Sequence, residues 1–124
     1  MFFHETPPLS KLLIAEREAG DVTILTLSGQ ILVDDGDVAI RKRVLELIAR
    51  GRVNVVLDLG AVTHIDSAGF GTMASTAKLL HNRHGALKLL HVPPRSQRLL
   101  EVMRLHTAFE IFEDENEAVK SFSN

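Results

Sequence analysis

The chain has 124 residues, 45% of them hydrophobic, with a formal charge of -2, which suits one domain built on one core. Phenylalanine is its sole aromatic residue type and no strongly basic patch stands out, so base stacking and binding to a phosphate backbone are disfavoured and no nucleic-acid partner is expected. With no cysteine, disulfides, thiolate-held zinc and thiol catalysis are excluded.

No apolar run approaches the ~20 residues of a membrane span, so no membrane partner is expected and the expected location is the cytoplasm. Residues 1–10 read as a flexible N-terminal leader and residues 11–124 as the folded domain. Lys11 to Glu18 holds an apolar run and then turns charged, as a first strand could. Gly20-Asp21 signals a turn, and Val22 to Ser28 is rich in β-branched residues, which predicts a hairpin. Gly29 breaks the pattern, and Gln30 to Val33 continues extended. Asp34, Asp35 and Asp37 then offer carboxylates as caps and dipole partners for a helix start. Ile40, Val44, Leu47 and Ile48 follow at the spacing of one helix face, and Gly51 supplies a stop.

Val53 to Leu59 is nearly continuous in apolar character, as in a strand covered on both faces. Gly60 to Ile65 reads as a connection. A long helix follows from about Ala68 to Arg83, with Phe70, Met73, Ala77 and Leu80 on one face and Gly85 ending it. Ala86 to His91 is a short apolar strand closed by Pro93 and Pro94. Ser96 opens a helix predicted to bury Leu99, Val102 and Met103. Phe109 to Phe112 is a last strand, and Glu113 to Phe122 a last helix. The order β-β-α-β-α-β-α-β-α implies an α/β domain. Its mixed, mostly parallel sheet has about four to five strands and packs with about four helices.

The corner from His64 to Gly71 concentrates the chemistry. An Asp66-Ser67 pair where a buried strand hands over to a helix puts a hydroxyl at a helix N-terminus, where free N–H groups and the dipole favour an oxygen anion. Several uses compete for it. Asp58, His64, Asp66 and Ser67 invite a triad, yet Ile65 stands where a nucleophile elbow has its first glycine. His81 and His84 could share a helix face but lack a third ligand, and the acids at 34–37 lack the spacing of a calcium loop. Gly69 and Gly71 form only a short glycine pair with no Walker lysine, which fits close backbone approach better than a nucleotide site. Two readings remain: Asp66 or Ser67 is simply an N-cap, or Ser67 accepts a phosphate and works as a binding switch.

The run from Val55 to Gly71, with Asp58-Leu59 ahead of Asp66-Ser67-Ala68-Gly69-Phe70-Gly71, resembles the central segment of STAS domains, in particular bacterial anti-sigma factor antagonists. The strand ending at Gly29, the run after Gly85, Arg98-Leu99-Leu100 and the late Phe109 to Phe112 extend the resemblance over most of the chain. It implies a four-helix, mixed-sheet fold with no enzymatic activity and no cofactor. It implies partner switching: the unphosphorylated antagonist binds an anti-sigma factor, often also a serine kinase, and so frees a sigma factor. The kinase phosphorylates the residue matching Ser67, a serine phosphatase reverses this, and ATP and magnesium belong to the kinase. The implied footprint is Asp66, Ser67, Gly69 and Phe70 with the exposed face of the following helix. Ala68 replaces the family's usual second hydroxyl, and Leu32 stands where many members have an acid, the acids arriving at Asp34 and Asp35. A constitutive scaffold subunit of a stress-signalling assembly, a small hydrolase using Ser67 and His64, and weak homodimerisation are the alternatives.

Overall fold

The computed structural model describes residues 11–123, so the expected leader at 1–10 lies outside the described residues. The elements follow the predicted order: β1 (Leu12–Ala19), β2 (Val22–Ile31), α1 (Gly36–Ala49), β3 (Asn54–Ile65), α2 (Ser67–His81), β4 (Ala86–Leu90), α3 (Pro94–Val102), β5 (Ile111–Phe112) and α4 (Glu115–Lys120). The strands form one five-stranded sheet in the order β1-β2-β3-β4-β5. β1 and β2 are antiparallel, with Ala19 paired to Val22 across the turn, where Gly20 takes a φ of +64°. Every other neighbour is parallel.

Alternation along the strands divides the core in two. Leu25 and Leu27 of β2, Val55 and Leu57 of β3 and Leu89 of β4 pack on the side covered by α1, α2 and α3. From those helices come Ile40, Val44 and Leu47, then Phe70, Met73 and Leu80, then Leu100. Val22, Ile24, Val56 and Leu90 face the other way, against Ala118 of α4. Arg17 of β1 and Glu115 of α4 form an ion pair that ties this last helix to the sheet edge. Lys88 of β4 is buried on the α4 side: its ammonium donates to Ser121 Oγ at 2.8 Å and lies 4.4 Å from the Phe122 ring centre. The apolar pattern of β4 gives no hint of this.

Helix stops differ in how they work. α1 ends as foreseen: Gly51, at φ +77°, donates to Ile48 O, and Arg52 donates to Leu47 O, a Schellman arrangement. α2 is stopped instead by His84, which takes φ +65°. Gly85 serves a different purpose, because a Cβ there would lie 2.0 Å from Val53 O.

Three expectations need correction. Gly60 to Ile65 is strand, not connection: β3 runs on beside β2 after β4 has ended, with Ala61 opposite Ser28 and Ile65 opposite Ile31. That overhang has one sheet neighbour, so its side chains are mostly exposed and carry no apolar run. In α3, which starts at Pro94 rather than Ser96, Ser96 and Leu100, four residues apart, face the core, whereas Val102 is 73% exposed. β5 shrinks to the two residues that pair with Leu89 and Leu90.

Candidate functional site

The parallel pairing of β2 with β3 brings their C-terminal ends together, Ile31 opposite Ile65. Asp66 follows directly, and its backbone N–H donates to Ile31 O at 3.2 Å. Both of its carboxylate oxygens accept a backbone N–H. Oδ1 accepts the N–H of Gly69 at 2.8 Å, capping α2. Oδ2 accepts the N–H of Val33 at 3.0 Å, in the turn between β2 and α1. Asp66 is thus the N-cap and also a clamp between two loops. An Ala at such a cap costs about 0.5–2 kcal/mol.

Gly69 sits beneath this clamp. An added Cβ would fall 2.9 Å from both Ile31 O and Ile31 Cγ2, and 3.0 Å from Ile65 Cγ2, so the first turn of α2 can lie against the two strand ends only with glycine here. Phe70 is the next residue, and its exposure is 0%. Its N–H donates to Asp66 O at 3.2 Å, and its ring belongs to the main core. The resemblance places Phe70 in the expected footprint; the helix points its side chain into the core, beneath the exposed Ser67.

Ser67 is the opposite case. It is the first residue of α2 and is exposed, and among the described residues its hydroxyl has no hydrogen-bond partner. So the N-cap reading applies to Asp66 and not to Ser67. The grouped acids and histidine do not assemble around it either. His64 Nδ1 lies 3.1 Å from Thr63 Oγ1, and Asp58 Oδ1 bonds His91 Nδ1 at 3.0 Å and Gly60 N at 3.0 Å. Ser67 therefore has no base in place.

The acids before α1 behave unlike Asp66. Asp34 takes φ +62° and is exposed. Asp35 is the N-cap residue of α1 by position, but its side chain makes no cap bond, a departure from the expected role. Its φ of -142° and ψ of -95° go with a side chain that accepts instead from Lys11 N at 2.9 Å. Asp37, in the first turn, bonds Val38 N and Asp35 N and supplies the dipole partner. Val33 in this loop and Val38 in the first turn of α1 are exposed, each 55% accessible. Val33 is tied to Asp66 and so stands beside Ser67. Sequence reasoning overlooked both valines. The signal available was apolar residues flanking the acids from Asp34 to Asp37.

With that geometry in place, comparison with known proteins identifies the architecture. The chain matches the STAS domain family model over residues 14–118 and belongs to that family. Among individual relatives, it is 29% identical over 99 residues to an anti-sigma F factor antagonist of Paenibacillus polymyxa, spanning 79% of this chain and 84% of that one. The fold superposes on the crystal structure of an anti-sigma factor antagonist from Mycobacterium paratuberculosis with a TM-score of 0.79, at 19% identity over 91% of this chain and 95% of the other. It also superposes on the phosphorylated form of the Bacillus cell fate determinant SpoIIAA, with a TM-score of 0.69 at 18% identity over 88% of this chain and 98% of the other. Among the described residues no helix is long and apolar enough to cross a membrane.

Proposed function

We propose that this chain is an anti-sigma factor antagonist, a binding module without catalytic activity of its own, switched off by phosphorylation of Ser67. It binds an anti-sigma factor that is also a serine kinase, in the cytoplasm, and a serine phosphatase resets it. The observation that carries the reading is the contrast at one helix turn: Ser67 is exposed and its hydroxyl has no hydrogen-bond partner among the described residues, while Asp66 is fixed by two backbone bonds and Gly69 by the strand ends below. The likeness to anti-sigma factor antagonists supports the same conclusion.

The physics of the switch follows from that position. A phosphate adds about -1.5 to -2 charge at pH 7. At the first residue of α2 it meets the positive end of the helix dipole, so the domain accommodates it without refolding. A partner packed on the small hydroxyl meets added bulk and charge beside Asp66. The contact surface then comprises Ser67, the exposed edge of Asp66, Val33 and the outward face of α2, while Gly69 and Phe70 hold that surface from beneath. ATP and magnesium act on the kinase. The hydroxyl missing at Ala68 leaves the acceptor at Ser67 in place.

The test uses the purified kinase anti-sigma factor of the same organism with ATP, followed by mass spectrometry. Wild type gains one phosphate, on Ser67, and Ser67→Ala gains none. A phosphate on another residue, or binding left intact by Ser67→Asp, would replace the switch with a constitutive scaffold.

A further inference from the structure

A groove of about 410 Å³ opens beside the α2 start, between the overhanging ends of β2 and β3 and helix α3. Leu32 and Ile65 form one wall, and Leu99 and Val102 the other. Arg95 and Arg98 complete the α3 side. Ser67 does not line it, and no step below depends on phosphorylation. The volume falls in the range of small-molecule sites, about 300–1,000 Å³. The groove lies outside the carboxyl ends of the parallel strands β2 and β3.

The distribution of charge along the groove is uneven. Arg95, Leu99 and Val102 are spaced four and three residues apart, so they share one face of α3, with Arg98 beside Leu99. Along α3 Arg95 lies in the first turn and Arg98 at the middle, and the apolar Leu99 and Val102 follow toward the C-terminus. Among the described residues neither arginine has an acidic partner, as is also true of Arg41, Arg83 and Arg104. The acid in the opposite wall, Asp66, has both oxygens bonded to backbone N–H groups. Val102 remains 73% exposed, a large apolar side chain left uncovered at the far end.

We propose that this groove binds a single-chain carboxylate amphiphile, its head on Arg95 and Arg98 and its tail along Ile65, Leu99 and Val102. The guanidinium fork matches a carboxylate in geometry and charge. A site with hydrocarbon walls and cations at one end selects for both parts of such a molecule together.

Octanoate, below its aggregation concentration, is the probe, followed by amide and methyl NMR of the full chain. Saturable shifts centred on Ile65, Leu99 and Val102 are expected. Binding is expected to weaken by about tenfold or more for 1-octanol, which keeps the tail, and for the exposed double substitution R95Q/R98Q. Butyrate, which keeps the head, and Val102→Asp, which charges the tail end, should weaken it similarly. Each variant changes surface residues, and its unliganded spectrum reports whether the fold is retained. Shifts that do not saturate, that centre elsewhere, or that titrate identically in R95Q/R98Q would overturn the assignment.

Discussion

Helices α1 and α2 begin at the same end of the sheet, each after a parallel strand and an aspartate, yet they are held in different ways. At α2, Asp66 spends one carboxylate oxygen on Gly69 N and the other on Val33 N, and Gly69 presses the first turn onto Ile31 and Ile65. At α1, Asp35 occupies the cap position but bonds Lys11 N, and Asp34 beside it adopts a left-handed backbone. One start is a closed joint and the other an open, acidic turn. The difference explains how a switch can sit on the rigid one. Since Asp66 already supplies the cap to Gly69 N, the cap does not draw on the Ser67 hydroxyl, which has no hydrogen-bond partner among the described residues.

The comparison can be broken at several points. The largest effect is expected from Phe70→Ala, which empties a fully buried site: a loss of about 3–5 kcal/mol in urea unfolding, with partner affinity per folded molecule unchanged. A fall in affinity with stability intact would return Phe70 to the contact surface. Gly69→Ala should cost about 1–3 kcal/mol, because the new methyl meets the Ile31 carbonyl oxygen as well as the Ile31 and Ile65 side chains. Asp66→Ala removes a cap and a loop clamp and should cost about 1–2 kcal/mol. Asp35→Ala, which loses no helix cap, should stay within about 0.5 kcal/mol. Equal losses at the two aspartates would abolish the distinction between the helix starts. Ser67→Ala should be the mildest, within about 0.5 kcal/mol, since its hydroxyl bonds nothing among the described residues.

Much of the architecture was legible because strand and helix periods are local. The run Val53 to Leu59 announced a doubly covered strand, and Ile40, Val44 and Leu47 announced one helix face. The overhang Gly60 to Ile65 was not legible, because it is made by pairing with β2 alone and leaves no apolar signature. Phe70 illustrates a conflict between two readings. Its motif placed it in a contact surface, while its spacing to Met73 and Leu80 placed it in the core, and packing decided for the core. The Asp66–Val33 bond was beyond sequence altogether, since it exists only through the register that sets Ile31 opposite Ile65. Ser67 itself was legible as a helix start, but its freedom was not: that depends on Asp66, not Ser67, serving as the cap.

The central claim is that phosphate at Ser67 changes binding and not fold. Its most direct test is calorimetric titration of the partner anti-sigma factor with unphosphorylated protein and with protein phosphorylated at Ser67, each also followed by thermal unfolding. The expected result is a loss of about 2–4 kcal/mol in binding with the unfolding midpoint essentially unchanged. Equal affinities, or weaker binding accompanied by loss of the folded state, would contradict it.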